Sequence, residues 1–224
     1  MVTSELLIAT TNMGKVSEFR TLLAGMPVQL RTLRDCLDTP VRVIEDGATF
    51  EANAIKKARV LAESTRLLTL ADDSGLEVDA LGGLPGVRSA RFSGEGATDS
   101  ENNATLLRQL EELISSNRLD RRDPISARFR CVLALIDPLG DSEAPTVVEG
   151  RCEGKILLTP RGGLGFGYDP LFEVEGTNKT LAEMTSAEKN AVSHRSSALT
   201  RLRPFLAQIL AARSSVVAGV ANAQ

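Results

Sequence analysis

Ala127-Arg128-Phe129-Arg130-Cys131-Val132-Leu133-Ala134-Leu135-Ile136 is the stretch on which the fold turns. Its two arginines alternate with Phe129 and Cys131, and from Val132 onward it is apolar on both faces. Alternation marks a strand with one wet face, and the continuous run marks burial on both. A second strand-like segment, residues 147–152, follows after a short connection containing Pro138 and Gly140. So short a link predicts an antiparallel portion. Residues 171–174 are a further strand candidate for the same sheet.

Outward from this core, helices and strands interleave. Leu6-Leu7-Ile8-Ala9 reads as a short buried strand, after which Val16, Phe19, Leu22 and Leu23 recur at helical spacing until Gly25 and Pro27. From Thr49, a stripe of Phe50, Ala54, Ile55, Ala58, Leu61 and Ala62 predicts a second helix with Lys56, Lys57 and Arg59 outside it. Residues 67–71 predict a strand running directly into Asp72-Asp73-Ser74-Gly75, and Gly82-Gly83-Leu84-Pro85-Gly86 reads as a turn. Asp99 or Ser100 caps a helix bearing Ala104, Leu107, Leu110 and Ile114, and residues 115–123 form a polar loop. From Ser186 to about Ala212 the pattern is helical, with Pro204 kinking that helix or starting a new one. The class is therefore α/β, with a mixed β-sheet flanked by helices rather than a purely parallel one. Residues 1–212 make a single domain, and the small-residue tail, 213–224, is expected to fray.

Composition narrows the functions. With 42% hydrophobic and 25% charged residues, the chain suits a soluble globular protein. A net charge of −3 gives no general affinity for nucleic acid polymers or anionic membranes. One Tyr, seven Phe and no Trp argue against an aromatic platform for single strands. Cys36, Cys131 and Cys152 are too far apart for zinc spacing and read as reduced thiols. The apolar run behind Glu5 is too short for a signal or a membrane span, so a cytoplasmic location is expected.

Four segments carry chemistry. Thr10-Thr11-Asn12-Met13-Gly14-Lys15 lies between a strand and a helix, where open backbone N–H groups face an anion and Asn12 and Lys15 add donors. It is not a Walker A loop, because Val16 stands where Ser or Thr would follow the lysine; taken alone, the segment is better read as an ordinary turn capped by Asn12. Asp72-Asp73-Ser74-Gly75 ends an apolar strand, the usual place for ligands in α/β sheets. Adjacent carboxylates repel unless a cation separates them or they point to opposite faces. A hard ion such as Mg2+ would use one or two of them with phosphate oxygens, and Glu45-Asp46 is a second acidic source. A turn with solvated carboxylates is the plain alternative.

Arg161-Gly162-Gly163-Leu164-Gly165-Phe166-Gly167-Tyr168-Asp169-Pro170 lacks the dinucleotide spacing. It suggests a loop on which a flat ligand lies against Phe166 or Tyr168, or else a plain flexible loop. Thr185-Ser186-Ala187-Glu188 fits a capping box opening a helix that bears Lys189, His194 and Arg195. On an unbroken helix Lys189 and His194 would stand about 140° apart, so either the lysine reaches another part of the ligand or the helix is interrupted. An anion site, metal carboxylates, an aromatic loop and Lys/His/Arg donors together suggest a nucleotide.

These segments, in this order, resemble the inosine triphosphate pyrophosphatase family, house-cleaning hydrolases of non-standard purine nucleotides. The likeness rests on Thr10-Thr11-Asn12-Met13-Gly14-Lys15, on Ala71-Asp72-Asp73-Ser74-Gly75-Leu76 with Gly82-Gly83-Leu84-Pro85-Gly86-Val87 and Ser89-Ala90-Arg91-Phe92-Ser93-Gly94, on Gly165-Phe166-Gly167-Tyr168-Asp169-Pro170, and on Ala187-Glu188-Lys189-Asn190 with Ser193-His194-Arg195. It runs from about residue 6 to 210; Thr11 stands where Gly or Asn is frequent, and Ala52 where a second acid is.

The resemblance implies an elongated mixed-sheet α/β fold of two lobes with a nucleotide cleft between them, and a homodimer. It implies Mg2+-dependent hydrolysis of the triphosphates of inosine, deoxyinosine and xanthosine to monophosphate and pyrophosphate. Carried across, Asp73 is the general base and a metal carboxylate, with Glu45 as metal ligand. Thr10, Thr11, Asn12, Met13, Gly14 and Lys15 hold the triphosphate, Ser74 contacts substrate, and Lys189 binds phosphate or ribose. Phe166, Gly167, Tyr168 and Asp169, with His194 and Arg195, surround the base. Two other readings use the same residues: a nucleotide-sensing module that binds without turnover, and a phosphotransferase releasing orthophosphate.

Overall fold

Leu6, Leu7 and Ile8 are almost wholly buried because β1 (Ser4–Ile8) has a strand on each side. β1 pairs in parallel with β2 (Val28–Thr32), Leu6 facing Leu30, and with β3 (Leu68–Val78), Leu6 facing Leu68. Parallel neighbours need crossovers. Helix α1 (Met13–Leu22) supplies the first; the second runs through α2 (Leu33–Cys36) and α3 (Phe50–Thr65). The computed structural model describes residues 4–37, 39, 41, 43–140 and 144–221, of which 216–221 are described by backbone alone.

Helix α4 (Asp99–Ser115) precedes β4 (Ile125–Ile136) and β5 (Thr146–Ile156); β6 (Phe172–Val174), α5 (Ser186–Val192) and α6 (His194–Ala221) complete the chain. The strand order is β2-β1-β3-β4-β5-β6. β5 and β6 are antiparallel, Gly154 opposite Val174 and Ile156 opposite Phe172. Parallel and antiparallel ladders in one sheet bear out the expected mixed α/β class. Among the described residues no helix is long and apolar enough to cross a membrane.

The chain divides into two compact units, 1–73 with 132–149 and 198–224, and 74–131 with 150–197. In the first, Phe19 of α1, Ala54, Ala58 and Leu61 of α3, and Leu199, Leu202 and Leu206 of α6 are buried with the strands. In the second, Leu76, Leu106, Leu110, Phe129, Tyr168, Leu171 and Phe172 lie in one apolar cluster, with Phe129 edge-on to Phe172 at 4.8 Å between ring centroids.

Several boundaries depart from the sequence reading. β2 carried no expectation, since this half-exposed strand lacks an apolar run. Asp72-Asp73-Ser74-Gly75 is strand, not turn: β3 continues to Val78. Asp-Ser-Gly composition favours a turn only where the carboxylates stay in water, and here Asp72 and Asp73 are 1% and 6% exposed. The cap of α4 is Thr98, one residue before Asp99, in a reciprocal box with Glu101. α6 runs unbroken through Pro204 and continues to Ala221, into the small-residue stretch expected to fray; residues 222–224 lie outside the described residues. The helical pattern breaks instead at Ser193, whose ψ of 152° is extended and separates α5 from α6. That break removes the constraint that placed Lys189 and His194 on divergent faces of one helix.

Candidate active site

In the first unit, the loop after β1 turns directly into α1. Thr10 Oγ1 accepts from Asn12 N at 3.2 Å, and Asn12 Oδ1 accepts from Lys15 N at 3.1 Å. Asn12 therefore caps the helix as expected, and with Val16 N on Asn12 O the amides of Met13 and Gly14 are left as open first-turn donors. The sharp turn at Thr10 and Thr11 brings Lys15, one helical turn in, back toward the strand ends. Its ammonium is ion-paired with the carboxylate of Asp72 on β3.

Alternation along β3 sends Asp72 and Asp73 to opposite faces, which is how two adjacent carboxylates are both accommodated. Asp73 sits with Lys57, Lys15, Glu45 and Asn53 around it. Burial pushes its carboxyl up to about 6; Lys57 and Lys15 oppose that rise and the negative charge of Glu45 adds to it. Its Oδ2 is buried with no hydrogen-bond partner. An orphaned carboxylate oxygen costs free energy and marks a place where another group belongs.

The apolar stripe of α3 predicts Lys57 on the wet side, yet it is only 8% exposed. Lys57 Nζ donates to Asp72 O at 3.0 Å and pairs with Glu45 at 2.8 Å. One turn earlier, Asn53 Oδ1 accepts from Gly47 N at 2.8 Å, fixing the backbone two residues beyond Glu45, and the Asn53 side chain also hydrogen-bonds Asp73. The i, i+4 spacing of Asn53 and Lys57 beside Ala54 and Ala58 is the signal that locates them. A lysine bordering an apolar stripe reads as solvated because its stem alone can lie along the core. Among the described residues no group of three or more His, Cys, Asp or Glu could cage an ion.

The second unit holds the other predicted residues. Arg195, 1% exposed, donates through Nη2 to Ser74 Oγ at 3.0 Å. His194 is 5% exposed and stacks on Phe129 at 4.9 Å and 12°. Lys189 Nζ pairs with Asp169 Oδ2 at 2.6 Å and lies 4.7 Å from the ring centroid of Phe166. Asp169 Oδ2 also accepts from Phe166 N at 3.0 Å. Phe166 is half-buried, whereas the ring of Tyr168 belongs to the core, and its hydroxyl donates to Ser89 O at 2.9 Å. Burial holds that phenol above its ordinary pKa. The structure thus gives Tyr168 a scaffold role rather than a face for a flat ligand, because its ring is packed among the side chains of the apolar cluster. Buried Cys152 is likewise inert, its thiol pushed up to about 12 by desolvation.

Both sets of residues lie inside the span of known relatives. A profile of the Ham1 family matches residues 6–205. The chain belongs to the Ham1 family. Its relatives include a dITP/XTP pyrophosphatase from Geobacter sulfurreducens, 49% identical over 91% of this chain and 96% of that protein. A dITP/XTP pyrophosphatase from Bacillus licheniformis is 45% identical over 91% of this chain and 98% of its own length. The solved HAM1 protein from Coxiella burnetii superposes with a TM-score of 0.78 at 40% identity, covering 92% of this chain and 99% of that one. Ham1 membership bears out the resemblance drawn from the separated motifs.

Proposed function

We propose that this chain hydrolyses dITP, ITP and XTP to the monophosphate and pyrophosphate, clearing non-standard purines from the nucleotide pool. The single observation that carries the reading is the buried carboxylate of Asp73, with an unpartnered Oδ2, beside Lys15, Lys57 and Glu45. A soluble homodimer in the cytoplasm is part of the same proposal, on the strength of the family likeness.

Mg2+ fits this donor set. Asp73 and Glu45 offer hard oxygens, and Mg2+ commonly takes one or two carboxylates and completes its shell with water and substrate phosphate, which suits a site with no full protein cage. When bound, the ion would lower the charge on the phosphates and on the departing pyrophosphate. Lys15 and the amides of Met13 and Gly14 would hold the triphosphate, with Lys15 exchanging Asp72 for phosphate oxygens. Asp73 Oδ2 would orient the attacking water and take its proton as oxygen attacks the α-phosphorus. Lys57 would keep Asp73 and Glu45 from repelling each other.

Base choice falls to the second unit. Inosine and xanthosine carry a 6-carbonyl acceptor where adenine carries an amino donor. The donors of His194 and Arg195 suit the former and would face the latter unpaired, the mismatch that discriminates most strongly. Phe166 offers a ring to the purine face. The test is a product-identified screen of dITP, XTP, GTP and ATP with and without Mg2+. Pyrophosphate from dITP and XTP only with the metal present is the expected result; orthophosphate as product, or binding without turnover, would overturn it.

A further inference from the structure

The loop carrying Phe166 is gripped by groups that the reading above leaves unused. Phe166 N donates to Asp169 Oδ2 at 3.0 Å, Gly167 N donates to Asp99 Oδ2 at 2.7 Å, and Asn103 Nδ2 donates to Gly167 O at 3.0 Å. Asp99 and Asn103 are one turn apart on the same face at the start of α4. Thr98 and Glu101 already cap that helix, so the Asp99 carboxylate is not needed as the cap and reaches a loop 68 positions away.

The geometry has a specific consequence. Phe166 N belongs to the peptide plane before the Phe166 Cα, and Gly167 N to the plane after it. Pinning both planes fixes the direction of the Cα–Cβ bond, and with it the line along which the ring projects. The loop is a snug fit as well: a Cβ on Gly165 would lie 2.0 Å from Asp169 Oδ2, and Gly165 and Gly167 have φ of 80° and 61°. Glycine is the residue that takes such angles without strain. Hydrogen bonds to a carboxylate are about twice as strong as neutral ones, so two of the three grips are of the stronger kind.

We infer that Asp99 and Asn103 are positioning residues for substrate recognition, presetting the Phe166 ring from the first turn of α4 so that the purine does not have to order the loop on binding. The inference rests on the reading of Phe166 as the ring that receives the base. Pre-ordering a binding loop lowers the free energy lost on association, and so acts on affinity rather than on the chemical step. It also places the amides on either side of Phe166 in carboxylate bonds, leaving recognition of the 6-carbonyl to side-chain donors.

The experiment is steady-state hydrolysis of dITP by the full chain carrying Asp99→Ala, Asp99→Asn, Asn103→Ala, Phe166→Ala and the double variant Asp99→Ala/Phe166→Ala, each with a urea midpoint. Asp99→Ala should raise KM about tenfold with kcat nearly unchanged, the signature of lost uniform binding. Asp99→Asn, which keeps an acceptor oxygen, should recover most of that loss, and Asn103→Ala should shift KM in the same direction by less. In the Phe166→Ala background, Asp99→Ala should add almost nothing, because the ring it aims is gone. The inference fails if Asp99→Ala raises KM equally in both backgrounds, or lowers the urea midpoint while leaving KM alone. A Phe166→Ala variant with wild-type KM instead sinks the base-facing reading of Phe166 and takes the inference with it.

Discussion

Asp73 in the first unit and Asp169 in the second are buried to the same degree, 6% and 3% exposed, and each has lysine nearby. Their situations are opposite. Asp169 is saturated, its Oδ2 taking both the Lys189 ammonium and the Phe166 amide. Asp73 keeps an Oδ2 with no partner, and its carboxyl is pushed up to about 6 although two lysines pull it down. A satisfied buried carboxylate holds a shape. An unsatisfied one holds free energy in reserve, and burial without a partner is retained where a ligand or a reacting water completes the set. Under the proposed function, Asp73 is the carboxylate left open for chemistry and Asp169 the one that holds a loop in shape.

Asp73→Asn tests the contrast hardest. Removing the base should cut kcat for dITP by about 10²- to 10⁴-fold, read as pyrophosphate release; undiminished turnover would strip Asp73 of its role. The same variant has a stability signature of known sign. Because the folded carboxyl titrates near 6 and its ordinary value is 3.8, the folded protein holds a proton that the unfolded chain has released between those pH values. This group's stabilising contribution is complete below pH 3.8, is lost as pH rises through 6, and is flat above. Metal-free Asp73→Asn should therefore melt a few degrees higher than the parent at pH 8, with the gain shrinking toward pH 4. A gain that grows on acidification would mean that Lys15 and Lys57 hold Asp73 ionised.

His194→Ala probes the other unit and should act on choice rather than rate. Preference for ITP over ATP should narrow by about tenfold in kcat/KM, within the range one recognition contact supplies, while the Mg2+ requirement persists. Intact selectivity with altered metal dependence would reverse the division of labour. The smallest effect belongs to Tyr168→Phe. Losing the bond from its hydroxyl to Ser89 O should cost about 1 kcal/mol in urea unfolding and leave dITP kinetics near the parent's. A large rise in KM would return Tyr168 to the substrate.

The legible part of this site was what local chemistry writes into sequence. Asn12 as cap, Lys15 one turn later, and the capping box at Thr185 follow from spacing along the chain, and the structure keeps all three. Asp72-Asp73-Ser74-Gly75 left strand end and turn both open, because composition speaks for a turn wherever carboxylates can stay in water; in the fold Lys15 of α1 and Lys57 of α3 meet Asp72 within the strand. Lys57 was hidden for the same reason: its position beside an apolar stripe is visible, but the oxygens that hold its ammonium come from residues 45 and 72.

By itself, then, the sequence determined the α/β class, the mixed sheet and the identity of most charged residues, because periodicity and capping depend on neighbours within one or two turns. The tertiary structure decided which carboxylate is satisfied and which is left open, and what α4 contributes to holding the Phe166 loop. Those depend on partners tens of residues away in the chain, and burial sets the strength of every charge they carry.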